Sequence, residues 1–292
     1  MADSMTLTQL RELLQRHHMR ATKRLGQNFL IDHNILRLIV GAAHLSADDT
    51  VIEVGPGTGL LTQLLAAQAA EVITVEIDPR MVELLQETLH GADNVTVVQS
   101  DILKLAPGRI LSDYSHRPQR TGYKVVANLP YYITSPVLRH FLTAEERPDM
   151  MVVMVQKEVG HAITARPGDM SFLSVSVQLF ARPSIVRKVP ASCFYPPPKV
   201  DSLVVKLEMN STLLVESGTT PQFLDFVAAG FHSPRKQLRN TFLHGLDTTR
   251  EHVNTLLEES GIDPTRRPET LSVEEWAHLW KTNCNMAETR PC

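Results

Sequence analysis

The sequence predicts an α/β fold with a mostly parallel sheet, followed by a small all-helical domain. Between residues 50 and 156, short β-branched runs alternate with helical patterns. The strand candidates are continuously apolar, which is typical of a parallel sheet covered by helices on both faces. After Met209 only helical patterns follow. The 292 residues, 43% of them hydrophobic, can bury one large core and a smaller one.

The elements follow from local patterns along the chain. A first helix is predicted over residues 6–19, because Thr6 and Gln9 have the spacing of a capping box. Five strands come next: Thr50–Val54, Glu71–Ile77, Val95–Gln99, Tyr123–Ala127 and Met150–Gln156. The helices between them are Leu60–Ala70, Pro79–Leu89 and Thr134–Leu142. Two later runs, Ser184–Val189 and Ser202–Leu207, could add an antiparallel hairpin at the sheet edge. The last helices are Pro221–Phe231, Arg235–His244, Arg250–Glu259 and Ser272–Thr282.

These patterns divide the chain into an N-terminal helical extension (1–22), a sheet domain (23–209) and a helical domain (210–292). Cys193, Cys284 and Cys292 lack the spacing of metal ligands or of a disulfide framework. We therefore expect no metal and a reducing, cytoplasmic location. No run reaches the roughly 18 apolar residues that a membrane span needs. A mitochondrial transit peptide is disfavoured by the acidic residues Asp3 and Glu12.

A glycine loop, Glu53-Val54-Gly55-Pro56-Gly57-Thr58-Gly59, follows the first of the five strands and opens a helix. Gly55 and Gly57 let the backbone pass close to a ligand. Nicotinamide and flavin proteins use related loops, and a tight turn without a ligand is the alternative. Glu76 ends the next strand, where a carboxylate can hold a ribose diol. Asp101 ends the third strand, where it could accept from an adenine amine, cap residues 102–105, or do both.

The motif Asn128-Leu129-Pro130-Tyr131 follows the fourth strand and suits a flat base that carries an exocyclic amine. The Asn128 side-chain oxygen and a backbone carbonyl, for which we favour that of Leu129, can each accept one amine hydrogen. Pro130 fixes its own φ and so holds the preceding carbonyl at a set angle, while Tyr131 can stack on the base. The motif alone allows adenine or cytosine. A hydride-transfer enzyme has no need for this motif. Its presence after the fourth strand therefore favours S-adenosylmethionine, a methyl donor, as the ligand of the glycine loop.

Six ordered motifs resemble the ribosomal RNA adenine dimethyltransferase family of the KsgA type. They run over roughly residues 20–282 and begin with the leader Lys23-Arg24-Leu25-Gly26-Gln27-Asn28-Phe29-Leu30. The others include the motif at Asn128 and those that begin at Gln156, Phe194, Arg235 and Arg267. The resemblance implies a Rossmann-like methyltransferase sheet that binds S-adenosylmethionine. It also implies cofactor contacts from Asn28, Leu30, Gly55, Glu76, Asp101 and Asn128.

The resemblance further implies the substrate. It is a pair of adjacent adenosines in a hairpin near the 3′ end of 16S small-subunit rRNA, dimethylated on the small ribosomal subunit in late assembly. Phe194 would close the second face of the base, with core packing as its alternative role. We expect a monomer with no membrane partner. Phosphate contacts are expected from two basic groups: Arg20, Lys23 and Arg24 in the leader, and Arg235, Lys236 and Arg239 on one helical face.

Three other interpretations remain. A large-subunit rRNA adenine dimethyltransferase of the macrolide-resistance type would share the leader, the glycine loop and the Pro-rich segment. Leu129, Pro196-Pro197-Pro198 and the terminus at residues 271–275 favour the small-subunit enzyme. A non-catalytic ribosome-assembly factor on the same fold would show decay of the methyl-transfer motif or of the glycine loop, and both are intact. A dinucleotide oxidoreductase is the most distant alternative.

Overall fold

The computed structural model describes residues 5–19, 27–117, 122–246 and 248–288. The strands, in chain order, are β1 Phe29–Leu30, β2 Thr50–Val54, β3 Glu71–Glu76, β4 Val95–Gln99, β5 Lys124–Asn128, β6 Met150–Gln156, β7 Ala181–Val189, β8 Phe194–Tyr195 and β9 Ser202–Met209. The helices of the first half are α1 Leu7–Arg16, α2 His33–Ala42, α3 Leu60–Ala66, α4 Pro79–Thr88, α5 Pro107–Tyr114 and α6 Thr134–Leu142. Those of the second half are α7 Lys157–Ile163, α8 Phe172–Gln178, α9 Thr220–Gly230, α10 Leu238–Gly245, α11 Arg250–Glu259 and α12 Val273–Glu288.

Seven strands between residues 50 and 209 form one sheet, in the order β4-β3-β2-β5-β6-β9-β7. The five strands from β2 to β6 are parallel, and β9 pairs antiparallel with β6. Every residue of β2 and β3 is buried, as expected for strands covered on both faces. The predicted α/β fold with a parallel sheet is confirmed. The chain order reverses between β2 and β5, which is the kind of switch point where open α/β sheets bind ligands.

A second, two-stranded sheet joins the leader to the Pro-rich segment. β1 pairs antiparallel with β8, so that Phe29 lies opposite Tyr195 and Leu30 opposite Phe194. The predicted capping box at Thr6 and Gln9 is confirmed and begins α1. The apolar face of α1 forms a small core with Phe29 and α4, against which Tyr195 packs.

The chain forms two compact units. The first contains the described residues of 1–160 together with 183–209, and the second contains 161–182 and those of 210–292. The predicted boundary after residue 209 is one of the points where the chain passes between the units. The segment 161–182, which the sequence groups with the sheet domain, belongs to the second unit. Backbone bonds hold it there: the Gly168 and Met170 amides donate to the Glu269 carbonyl at 2.8 and 3.1 Å.

The second unit is helical and has an aromatic core. Trp276 is fully buried and stacks on Phe231 at 5.3 Å between ring centroids, while Trp280 contacts Phe226 at 5.6 Å. Both tryptophans therefore pack in this core. A methyl group added at Gly230 would lie 2.3 Å from the Trp276 ring, so this position has no room for a side chain. Within the described ranges, no helix has the length and apolarity of a membrane span.

One predicted helix begins later than the sequence pattern indicates. α10 starts at Leu238 rather than at Arg235. Ser233-Pro234 begins a turn, closed by the Lys236 amide donating to the Ser233 carbonyl at 2.8 Å. Ser at the first position and Pro at the second are favoured in such a turn. The expectation of one helical face for Arg235, Lys236 and Arg239 is therefore wrong: only Arg239 lies in the helix.

Candidate active site

A cavity opens at the carboxyl ends of β2, β3 and β5, where the sequence predicts the ligand site. Its walls come from the leader, the glycine loop, the end of β3 and the motif after β5. The residues lining it are Gln27, Asn28, Phe29, Leu30, Leu36, Glu53, Gly55, Pro56, Gly57, Thr58, Leu60, Leu61, Glu76, Ile77, Asn128, Leu129, Pro130, Tyr131 and Tyr132. The cavity therefore brings together nine of the predicted cofactor and base contacts. Among them are Asn28 and Asn128, which lie 100 residues apart in the chain.

The glycine loop has the backbone that the sequence predicts. Gly55 and Gly57 have φ values of 65° and 57°, a region that side chains disfavour. A methyl group added at Gly57 would lie 3.2 Å from the Phe29 ring, and one at Gly55 would lie 3.4 Å from Pro130. The loop is thus a narrow cradle between the leader and the motif at Asn128. An elongated ligand fits against its backbone where side chains would not.

Glu53 lies in the wall of the cavity and is 1% exposed. The Thr62 hydroxyl donates to its carboxyl at 2.6 Å. Burial raises the pKa of Glu53 to about 7, against the opposing effect of this hydrogen bond. The glycine-loop motif contains Glu53, but the motif pattern assigns this residue no role. The signal was an acidic residue in an otherwise apolar strand, where an unpaired charge is costly.

Glu76 is also buried, at the end of β3. One carboxyl oxygen accepts from the Ile77 and Asp78 amides, both at 2.8 Å. Burial raises the pKa of Glu76, and these two amides oppose the rise by favouring the ionised form. The backbone therefore fixes the orientation of the carboxyl group at the cavity wall. A carboxylate held in this way suits a ribose diol.

Asp101 has a local structural role. Its carboxyl caps the 3₁₀ turn Ile102–Lys104 by accepting from the Leu103 amide at 3.1 Å. The capping alternative weighed for Asp101 is therefore confirmed. Asp101 is not among the described residues that line the cavity, although it lies near enough to Tyr132 to raise the pKa of that phenol, after burial and Glu76.

The backbone around Asn128 distinguishes two possible base acceptors. The Pro130 carbonyl already accepts from the Ile133 amide at 3.1 Å and from the Thr134 hydroxyl at 3.3 Å. The Leu129 amide donates to Met154 at 3.1 Å, which anchors the motif to β6. Within the described residues no donor is bonded to the Leu129 carbonyl. This arrangement favours Leu129 as the carbonyl that accepts from an amine.

The Asn128 side chain is oriented by the leader. Its Nδ2 donates to the Asn28 carbonyl at 3.4 Å. Because the amide nitrogen is directed to the leader, the side-chain oxygen is left for a donor within the cavity. Asn128 can therefore serve as a hydrogen-bond acceptor that does not titrate.

Two tyrosines, Tyr131 and Tyr132, follow Pro130 in the chain and line the cavity. The Tyr131 hydroxyl is hydrogen-bonded to the buried Ser202 hydroxyl at 2.6 Å, which fixes the ring at the cavity wall. Burial raises the pKa of Tyr131. Tyr132 lines the same cavity and is 53% exposed. The sequence pattern assigns Tyr132 no role, since nothing in it distinguishes Tyr132 from its neighbour Tyr131.

Phe194 packs in the core, which is the alternative role that the sequence leaves open for it. It is 3% exposed, pairs with Leu30 across the two-stranded sheet, and belongs to the main core. Among the described residues, it is not one that lines the cavity. The ring does not close the site in this conformation.

Of the predicted phosphate contacts, Arg20, Lys23 and Arg24 lie outside the described residues. In the helical unit, Arg235 and Lys236 are exposed in the turn before α10, and Arg239 is half-buried. Within the described parts of the chain none of these three has an acidic partner. The described residues also include no cluster of His, Cys, Asp and Glu that could hold a metal ion.

Several known proteins are similar to this chain in sequence and in architecture. The chain is 46% identical over 273 residues to ribosomal RNA small subunit methyltransferase A of Dehalococcoides mccartyi, covering 94% of this chain and 92% of that protein. It is 40% identical to the protein of the same name from Staphylococcus haemolyticus, with 98% of each chain covered. A dimethyladenosine transferase from Plasmodium falciparum superposes with a TM-score of 0.74 at 27% identity, over 89% of this chain and 98% of the other.

The 23S rRNA methyltransferase ErmE also superposes, with a TM-score of 0.69 at 29% identity, over 88% of this chain and 100% of the other. It is less similar in sequence than the small-subunit methyltransferases. A sequence profile described as ribosomal RNA adenine dimethylase matches residues 18–283, which includes the whole span over which the motifs run. The chain belongs to the ribosomal RNA adenine dimethylase family.

Proposed function

We propose that this protein transfers methyl groups from S-adenosylmethionine to the exocyclic amines of two adjacent adenosines, in the hairpin near the 3′ end of small-subunit rRNA. The observation that carries the proposal is the pair of acceptors at Asn128 and Leu129, set beside a glycine cradle in one cavity. Family membership supports the reaction, and the names of the 40–46% identical relatives support the small subunit as substrate.

The residues of the cavity fit the cofactor. The Gly55–Gly57 backbone forms a cradle that side chains would fill, and the buried Glu76 carboxylate suits the ribose hydroxyls. Asn28 and Leu30 complete the wall from the leader, and Asp101 would approach the adenine from the turn it caps. When bound, S-adenosylmethionine supplies an electrophilic methyl group.

The chain's own contribution is to position the amine. Its nitrogen is a poor nucleophile, because the lone pair is delocalised into the adenine ring. Acceptance of its two hydrogens by the Asn128 oxygen and the Leu129 carbonyl would localise that lone pair toward the methyl group. No strong base is needed, since the methylated ammonium is acidic enough to lose its proton to water. Positioning and exclusion of water are the main sources of rate acceleration.

The target base must leave its stack to reach the cavity. Tyr131, whose ring is fixed by Ser202, would stack on one of its faces. We retain Phe194 as the residue that closes the other face, which requires its ring to turn out of the core when the base enters. The basic residues Arg235 and Lys236 would contact RNA phosphates, as would the leader cations. The protein would act in the cytoplasm as a monomer.

The decisive experiment uses small ribosomal subunits that lack the modification. The protein is incubated with them and with labelled S-adenosylmethionine, and methylated adenines are mapped by mass spectrometry. We expect two dimethylated adenosines in the 3′ hairpin. Label only in large-subunit rRNA would assign the chain to the macrolide-resistance type of enzyme. Binding of subunits without any methyl transfer would support the assembly-factor alternative.

A further inference from the structure

A second cavity lies between α1 and the beginning of the Pro-rich segment, in the same unit as the first. Its lining residues are Arg11, Leu14, Gln15, His18, Met19, Tyr195 and Pro196. None of them lines the first cavity. Neither the methyl-transfer chemistry nor the cofactor contacts use this second cavity.

The lining of the second cavity combines an apolar floor with a polar rim. Leu14 and Met19 are buried in the small core, on which Tyr195 packs. The Arg11 guanidinium lies 4.9 Å from the centroid of the Tyr195 ring. Gln15 is exposed at the rim. Unpaired nucleobases are bound by surfaces of this kind: they stack on aromatic rings and guanidinium planes, and their edges hydrogen-bond to polar side chains.

The backbone at His18 is strained at the rim of this cavity. α1 ends in a Schellman motif, in which the Met19 amide donates to the Leu14 carbonyl at 2.7 Å and the His18 amide donates to Gln15 at 3.0 Å. The left-handed position of this motif is usually glycine, but here it is His18, with φ of 52°. A strained residue held at a cavity rim is a reason to look for a function of its side chain.

The two cavities share a wall. Tyr195 of the second cavity pairs directly with Phe29 of the first across the two-stranded sheet. Opposed residues of an antiparallel pair are only about 5 Å apart. The second cavity is therefore within reach of a nucleotide that neighbours a base held in the first.

We propose that the second cavity binds an unpaired nucleotide of the substrate RNA, close along the strand to the adenosine undergoing methylation. The base stacks on the layer formed by Arg11 and Tyr195, and Gln15 and His18 contact its edge or its phosphate. This inference rests on the proposed function, because it takes the ligand of the first cavity to be an RNA adenosine. It assigns a substrate-binding role to α1, outside the methyl-transfer motifs.

The test compares variants in binding and methylating unmodified small ribosomal subunits. Arg11→Ala and Tyr195→Leu should each raise Kd and KM for the subunit at least about 5-fold, the effect of losing one stacking contact, with kcat at saturating subunit retained. Arg11→Lys should not restore affinity, because lysine keeps the charge but lacks the planar group. Arg109→Ala removes an equal charge from an exposed position on α5 and should leave both constants unchanged.

His18→Gly separates binding from folding. Glycine suits the left-handed backbone, so the thermal midpoint of the variant should equal or exceed that of the wild type while its RNA affinity falls. If all four cavity variants bind and methylate subunits like the wild type, this inference is overturned and the cavity serves another ligand, a protein partner included. Wild-type protein that neither binds nor methylates subunits would instead overturn the proposed function, and this inference with it.

Discussion

Glu53 offers a quantitative test of the electrostatics beneath the glycine loop. Burial raises the pKa of its carboxyl from 4.5 to about 7, so the folded protein binds this proton more tightly than the unfolded chain does. The stabilisation is fully present below about pH 4.5 and is lost as the pH rises through about 7. At about 1.4 kcal/mol per pH unit, the difference corresponds to about 3 kcal/mol.

Glu53→Gln is the matched perturbation, because glutamine is neutral at every pH and keeps an oxygen that can accept from Thr62. Near pH 5 the two proteins should have similar free energies of unfolding. By pH 8.5 the variant should be the more stable by about 2 to 3 kcal/mol. The difference between the two proteins, measured at each pH, cancels groups that titrate alike in both.

The assay must report the sheet unit. The only two tryptophans of the chain, Trp276 and Trp280, are in the helical unit, so their fluorescence does not serve. Hydrogen exchange of the β2 and β3 amides, followed by mass spectrometry, gives the free energy of opening where Glu53 lies. Glu83→Gln, at an exposed position on α4, controls for the change in net charge. If the difference in free energy of unfolding between Glu53→Gln and the wild type does not vary between pH 5 and pH 8.5, the raised pKa of Glu53 is refuted.

Three further changes test the site. Asn128→Ala should lower methyl transfer at least about 100-fold, because one amine acceptor is lost, while subunit binding persists; a variant that fails to fold would make Asn128 a structural residue instead. Gly57→Ala should weaken S-adenosylmethionine binding in calorimetry at least about 10-fold, since a β-carbon enters the cradle at positive φ; unchanged affinity would place the cofactor elsewhere. Arg235→Glu combined with Lys236→Glu should weaken subunit binding and reduce its salt dependence, and an unaltered salt dependence would remove both residues from the RNA interface.

The sheet could be predicted because its strands are marked locally. The bounds of β2, β4 and β6 agree with the prediction residue for residue, since each is a short apolar or β-branched run between breakers. α2 was equally predictable: Asp32 caps its N-terminus, and its buried residues recur at helical spacing. α8 was not, because its sequence FLSVSVQ alternates like a strand and only tertiary packing makes it helical.

The two-residue strands β1 and β8 could not be predicted by any local pattern. They pair across more than 160 residues of chain, and their significance lies in that pairing: it buries Phe194, which the motif alone presents as a base contact, and it brings Tyr195 to the second cavity. The turn before α10 is a different case. Its Ser233-Pro234 signal is local, so the start of the helix could have been predicted from turn chemistry.

The motif at Asn128 shows what sequence and structure each contribute. The residue types at Asn128 and Leu129 indicate two acceptors for an amine, but they leave the direction of the Asn128 amide open. That direction is set by the Asn28 carbonyl, 100 residues away, and the choice of the Leu129 carbonyl follows from the bonds that occupy Pro130. Because Asn28 acts here through its backbone, a change of its side chain need not disturb the acceptor. Displacement of the leader would disturb it, and this couples the walls of the first cavity to the orientation of the Asn128 side-chain amide.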